Sequence, residues 1–264
     1  MSDRQLGCLM RSGTTSDFFS CGDREGIKLF HDKSPYHAHE AKAAILAHQA
    51  NIKTPAVIEG VIEIEGREAI VFERVEGLRL DDYINSGQAD VVACAHDMAA
   101  LHLDIHSHPA PEGTFSSQEL MAWAIPQVDC LEEKTKERIL AIIAALPTGN
   151  RICHNDFGPH NIIRSETGLV IIDWAVGTSG PPLADVAQSL LLSTVWLGEV
   201  ANDPTRARWR LFWDTYRDAY RRMSPYADEE LQSWQLGVAA SQLFTGTILA
   251  HRHYRLDFIK SVLG

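Results

Sequence analysis

Cysteine is scarce and irregular in this 264-residue chain: five residues, an odd number, with no Cys-x-x-Cys pair. That excludes a disulfide framework and a cysteine-ligated structural zinc site, and it is the usage of reduced thiols in a cytosol. Long apolar runs are missing as well. Ile139 to Leu146 is among the longest, far short of the ~20 residues that cross a bilayer, so no membrane partner is expected. The opening Met1-Ser2-Asp3-Arg4-Gln5 has no hydrophobic region of the signal-peptide kind, and a cytoplasmic location is the expectation. Positive charge is in deficit. A formal net charge of −11 argues against nucleic acid as a partner and leans slightly toward a cationic small molecule. There is no Gly-x-x-x-x-Gly-Lys-Ser/Thr phosphate loop, no internal repeat and no low-complexity linker.

What is present divides in two. The first part is strand-rich with one helix. Ser16–Ser20 and Gly26–Phe30 are short strand candidates around the turn-like Cys21-Gly22-Asp23-Arg24-Glu25. Ser34 as N-cap and Pro35 at the first helical position open a helix in which Ala38, Ala41, Ala44, Ile45 and Ala47 recur at helical spacing. Val57–Glu65 and Glu68–Val75 flank Glu65-Gly66-Arg67 as a hairpin. After Glu76-Gly77 the pattern turns helical. Val91, Ala95, Met98, His102 and Ile105 mark one helix face, and further helices are expected near Ser117–Leu131, Glu133–Leu146, Ala184–Leu197, Thr205–Arg222 and Asp228–Tyr254.

The chemistry concentrates in one stretch. His154-Asn155-Asp156-Phe157-Gly158-Pro159-His160-Asn161 reads His-x-Asp-x-x-x-x-Asn, and Asp173 ends the apolar run Val170-Ile171-Ile172. Phosphoryl transfer needs this set: one carboxylate facing a hydroxyl, and an amide with a second carboxylate holding metal on nucleotide phosphates. Hydroxyls are weak nucleophiles and the moving group is crowded with negative charge, so positioning and electrostatics carry the work. A lone Asp-Asn-Asp set also serves turns and helix caps, but an Asp placed at the end of an apolar strand weakens that alternative.

Asp156, Asn161 and Asp173, in this order and spacing, resemble the catalytic and metal loops of the aminoglycoside phosphotransferase / choline kinase-like family, relatives of the protein kinases. The resemblance implies an α+β, bilobal, protein kinase-like fold: a small β-rich lobe, residues 1–76, and a larger, mainly α-helical lobe, residues 77–264, with nucleotide between them. It makes Asp156 the catalytic residue that accepts or orients the hydroxyl, and Asn161 and Asp173 the ligands of Mg²⁺, a hard cation suited to oxygen donors. Lys28, flanked by apolar residues, becomes the lysine on the α- and β-phosphates, and Glu40, twelve residues on, its helix partner. Without the resemblance, Lys28 would read as an edge-strand lysine snorkelling to solvent. Backbone groups around Glu73 and Val75 would meet the base of ATP or GTP. Ser12, Gly13, Thr14 and Thr15 are either hydroxyl and amide donors covering the phosphates or an ordinary hairpin turn. Trp174 stands where protein kinases carry the Phe of Asp-Phe-Gly, which points to a small-molecule kinase. Asp185 matches a family Asp that braces the catalytic loop or caps a helix.

The resemblance implies a small-molecule hydroxyl as acceptor, with an aminoglycoside or another cationic hydroxylated compound as candidates; the alternative is a peptide hydroxyl, and the oligomeric state is open. Trp196, Trp209, Trp213, Tyr216, Tyr220 and Trp234 are candidate pocket walls or core. Asp214, Asp218, Asp228, Glu229 and Glu230 are candidates to hold a cation or form a solvated face. His102 and His106, four apart, have metal-ligand spacing, but Leu101-His102 matches the family's helix and a structural role is favoured. Two other classes remain to be weighed: a non-catalytic nucleotide-binding pseudokinase, against which the presence of Lys28, Asp156 and Asp173 argues, and a histidine-rich metallohydrolase.

Overall fold

The computed structural model describes residues 4–34, 36–199, 203–245 and 251–264, the side chains of 195, 196, 199, 203 and 245 excepted. Pro35 and the side chain of Trp196 therefore lie outside the described residues. The chain forms two compact units: residues 1–83 with 159–177, and residues 84–158 with 178–264.

The first unit is built on a five-stranded antiparallel sheet. In chain order its strands are β1 (Leu9–Ser12), β2 (Ser16–Cys21), β3 (Glu25–Phe30), β4 (Val57–Ile64) and β5 (Arg67–Glu73), and across the sheet they run β1-β2-β3-β5-β4. The β4–β5 hairpin closes on Glu65 and Gly66, both at positive φ (51° and 79°). Two such residues in a row are the twist-matched two-residue turn, and Gly66 meets the second position without steric cost. Register pairs Lys28 with Ile70 and Ile27 with Val71. Strand alternation then puts Ile27 and Leu29 on one face, in a core with Ile64, Ala69 and Val71, and Lys28 on the other. Burying each of the isoleucine, leucine and valine side chains contributes about 2 kcal/mol.

Helix α1 (Tyr36–Gln49) follows β3. Ser34 Oγ accepts the Tyr36 N–H at 3.3 Å, an N-terminal tie consistent with its expected capping role. The buried stripe of α1 is His37, Glu40, Ala41, Ala44 and Ala47. Three alanines let the helix approach the sheet closely at β4 and β5, and Glu40 lies on that same inward face. The unit is completed by a three-stranded sheet, β6 (Leu78–Arg79), β8 (Ile162–Ser165) and β9 (Gly168–Ile171), ordered β6-β8-β9. The helix expected directly after Gly77 is preceded by β6. Gly77 sits at φ 152°, and a Cβ there would lie 2.3 Å from the Arg164 carbonyl oxygen, so only glycine lets β6 close on β8.

The chain passes to the second unit within α2 (Leu80–Asn85). This unit holds α3 (Val91–Ser107), α4 (Ser117–Ala124), α5 (Glu133–Ala144), a two-stranded pair β7 (Arg151–Cys153) and β10 (Thr178–Gly180), then α6 (Pro182–Glu199), α7 (Asp203–Met223), α8 (Asp228–Thr245) and α9 (Arg252–Leu263). Helix α3 packs along α7, and α6 against α8.

One expected helix is shorter than the pattern suggests. The helix expected over Ser117–Leu131 stops at Ala124 and continues only as a 3-10 turn, Ile125–Gln127. Pro126 has no N–H to donate and its ring blocks the turn before it; Gln127 Nε2 donates to the Trp123 carbonyl instead. Of the helix expected over Asp228–Tyr254, α8 holds Asp228–Thr245 and α9 starts at Arg252; residues 246–250 between them lie outside the described residues. No described helix is long and apolar enough to cross a membrane.

Candidate active site

The sheet face opposite the Ile27–Leu29 core carries Lys28, and α1 delivers Glu40 to it. Lys28 Nζ donates to Glu40 Oε1 at 2.6 Å and to Asp173 Oδ1 at 3.1 Å. Glu40 is only 2% exposed. Burial alone would lower the Lys28 ammonium; Asp173, then Glu40, outweigh it and raise it above its ordinary value. Burial pushes the Glu40 carboxyl up to about 7, against the pull of Lys28, and the negative Asp173 adds to the rise. One ammonium thus faces two carboxylates, and the more buried of them ionises near neutrality.

Asp173 is placed by the β8–β9 ladder, in which Ile162 pairs with Ile171. One step beyond, the Ile172 N–H donates to the Asn161 carbonyl at 2.9 Å. Asn161 and Asp173 are therefore neighbours across the end of the hairpin. Asn161 is buried, whereas the Asp173 side chain is 38% exposed. Asp173 sits at φ 65°, a left-handed conformation that Asp tolerates better than most residues and that turns the chain out of the strand. Trp174 is buried and donates its Nε1–H to Thr54 Oγ1 at 3.0 Å. His39, next to Glu40, contacts the Gly177 carbonyl through Nε2 at 2.7 Å, so α1 is tied to both ends of the Asp173–Gly177 segment.

The remaining sequence candidates of this unit lie elsewhere on it. Ser12 ends β1, and its hydroxyl donates to Asp17 Oδ1 at 2.6 Å. The Gly13 N–H closes the hairpin turn on the Ser16 carbonyl at 2.9 Å, and the Thr15 carbonyl accepts the His31 N–H. Thr14 and Thr15 are exposed. Glu73 and Val75 line a cavity of about 900 Å³ with Lys53, Thr54, Arg74, Leu78, Arg164 and Thr167. Lys28, Glu40, Asn161 and Asp173 are not among its lining residues.

Asp156 belongs to the second unit. It follows β7 and the left-handed Asn155 (φ 57°), and its backbone N–H donates to His154 Nδ1 at 3.3 Å. Phe157 behind it is fully buried. Two backbone donors of this loop end on one carboxylate: His154 N–H to Asp185 Oδ2 at 2.5 Å and Asn155 N–H to Asp185 Oδ1 at 2.8 Å. Asn155 Nδ2 donates to Thr178 Oγ1 at 2.6 Å. The extent of this bracing is legible only in three dimensions.

The aromatic wall candidates turn out to be core. Trp209, Trp213, Tyr216, Tyr220 and Trp234 are all at most 3% exposed. Asp214 and Asp218 both face Arg217 at 3.1 Å, and Asp228 faces Arg221 at 2.7 Å. These are surface ion pairs, worth little each.

Comparison with known proteins fits this geometry. Residues 26–226 match the model of the phosphotransferase enzyme family. No curated protein matches the chain significantly. Among solved structures, a thermostable mutant of aminoglycoside phosphotransferase APH(4)-Ia, in ternary complex with AMP-PNP and hygromycin B, is 15% identical at a TM-score of 0.70, over 100% of this chain and 95% of that one. Aminoglycoside-3'-phosphotransferase of type VIII is 19% identical at 0.61, over 92% and 94%. The GDP complex of aminoglycoside 2'-phosphotransferase-IIIa is 12% identical at 0.56, over 98% and 93%. Identities this low carry the fold alone: the kinase-like one, with its N-terminal antiparallel sheet and helix and its mainly helical remainder. The family match spans most of the chain, and the chain belongs to the phosphotransferase enzyme family.

Proposed function

We propose that this protein is a Mg²⁺-dependent O-phosphotransferase that moves the γ-phosphoryl group of ATP or GTP to a hydroxyl of a small molecule. The observation that carries the reading is the Lys28–Glu40–Asp173 cluster, an ammonium held between two carboxylates at 2.6 and 3.1 Å. A buried lysine with two anionic partners is costly to build for packing alone, whereas a lysine pre-aimed by Glu40 suits nucleotide phosphates.

Asn161 and Asp173 offer an amide and a carboxylate oxygen at the end of one hairpin, a donor set that fits a hard divalent cation. Held there with nucleotide, Mg²⁺ would supply positive charge against the phosphates. Lys28 binds the α- and β-phosphates. Backbone groups at Glu73 and Val75 meet the base, and Ser12, Gly13, Thr14 and Thr15 cover the phosphates. All four are exposed. In this reading residues 1–76 cover the nucleotide, and residues 77–264 supply the catalytic and metal-holding loops and bind the acceptor. Asp156 orients the acceptor hydroxyl and takes its proton as the oxygen bonds to the γ-phosphorus. The bond from that phosphorus to the β–γ bridging oxygen breaks, and the nucleoside diphosphate leaves.

A cationic, hydroxylated acceptor of the aminoglycoside kind is supported by the net charge of −11 and by the hygromycin B bound to one structural relative. The test is nucleotide consumption with Mg²⁺ across a panel of hydroxylated acceptors, beside the Asp156→Ala protein. Acceptor-dependent turnover lost in the variant supports the reading. Tight nucleotide binding with no acceptor-dependent turnover across the panel counts for a non-catalytic binding module.

A further inference from the structure

Asp185 is fully buried on the first turn of α6, and an isolated buried carboxylate is costly. Its satisfaction explains why it is tolerated. Its two oxygens take the His154 and Asn155 backbone N–H groups. Behind it stand His106, whose Nε2 hydrogen-bonds Oδ2 at 3.2 Å, and His102, whose Nε2 lies at the same 3.2 Å but off the hydrogen-bond line. Behind the histidines stand two tyrosines: Tyr216 Oη is 2.7 Å from His102 Nδ1, and Tyr220 Oη is 2.8 Å from His106 Nδ1. The histidines are one helical turn apart on α3 and the tyrosines one turn apart on α7, so the two packed helices supply two parallel His–Tyr pairs.

Hydrogen-bond logic fixes the protons. A tyrosine hydroxyl that donates to Nδ1 leaves the proton on Nε2, where it faces the carboxylate; the other tautomer would turn a lone pair on the anion. Burial, reinforced by His106, pushes His102 down to about 4, so it stays neutral beside the carboxylate. The same His102, His106 and Asp185 atoms are close enough together for a metal ion. The hydroxyl partners at both Nδ1 atoms and the two backbone donors on the carboxylate account for the cluster as a hydrogen-bond relay.

We propose that His102, His106, Tyr216 and Tyr220 are positioning residues: through Asp185 they hold the backbone of His154 and Asn155, and so fix Asp156 for transfer. The left-handed Asn155 is the conformation such a brace must maintain. The role of Asp156 rests on the phosphotransferase reading; the brace itself does not.

The test uses Tyr216→Phe, Tyr220→Phe and the double variant, which keep the rings and remove only the hydroxyls. Amide hydrogen exchange at His154 and Asn155 reads the brace without turnover, and steady-state kinetics read its use. In the double variant the two amides should exchange about tenfold faster, with α3 and α7 unchanged. Each single variant should lose about fivefold in kcat at unchanged nucleotide KM, the loss of one buried hydrogen bond. Unchanged exchange at both amides, or acceleration spread evenly over α3 and α7, overturns the proposal. If the unaltered protein transfers to no acceptor, the functional reading fails while the exchange result still decides the brace.

Discussion

Replacing Glu40 by Gln should change how stability depends on pH. In the folded protein Glu40 is 2% exposed and its carboxyl is raised from 4.5 to about 7. Between those two values the native chain holds a proton there that the unfolded chain has released. Stability therefore falls as pH rises through the window, and above it the cost of the buried anion is fully present. A shift of that size corresponds to about 3 kcal/mol. Gln has the same shape and keeps an acceptor for Lys28, but it does not titrate. Denaturant unfolding of both proteins from about pH 5 to 8 isolates the cluster, because titrations away from Lys28, Glu40 and Asp173 cancel in the difference. The Gln variant should gain on the unaltered protein by about 3 kcal/mol as pH rises across that range. Nucleotide affinity should move the other way, since only ionised Glu40 aims Lys28 with a full charge. Parallel stability curves would refute the reasoning, for they would mean that Glu40 ionises at the same pH folded and unfolded.

Three further perturbations follow from the geometry. Asp173→Asn keeps a residue that tolerates the left-handed φ of 65° but removes the charge; calorimetry should show Mg-nucleotide affinity falling at least about tenfold. Gly77→Ala must place a Cβ 2.3 Å from the Arg164 carbonyl oxygen at an unfavourable φ, and unfolding should show a loss of more than about 2 kcal/mol. Elemental analysis of purified protein should find no stoichiometric zinc or other transition metal with His102, His106 and Asp185; one tightly held equivalent would make the cluster a metal site and revive the metallohydrolase.

How much of this was legible in the sequence depends on the range of the interaction. The loop residues His154, Asp156 and Asn161, the strand-ending Asp173 and the apolar-flanked Lys28 carry local signals, because strand, turn and chemistry lie within a few residues of one another. Glu40 could be placed on a helix, and its burial among alanines in α1 is consistent with that placement. β1 left no trace because all four of its residues are exposed and do not alternate. β7 and β10 are three residues each, too short for a period to show. The tryptophans and tyrosines of α7 have the same spacing whether they wall a pocket or fill a core, and here they fill the core. The His–Tyr pairs join residues 114 positions apart. Their sole sequence trace is the repeated four-residue step, His102 to His106 and Tyr216 to Tyr220, which carries no meaning until α3 and α7 are packed together.

The central claim is a transfer, and the product tests it most directly. After incubation with Mg²⁺, nucleotide and each acceptor, mass spectrometry and phosphorus NMR of the acceptor should reveal one phosphate monoester on a hydroxyl, formed by the unaltered protein and absent with Asp156→Ala at equal nucleotide occupancy. An unmodified acceptor throughout a broad panel, or the same ester formed at the same rate by Asp156→Ala, would contradict the account.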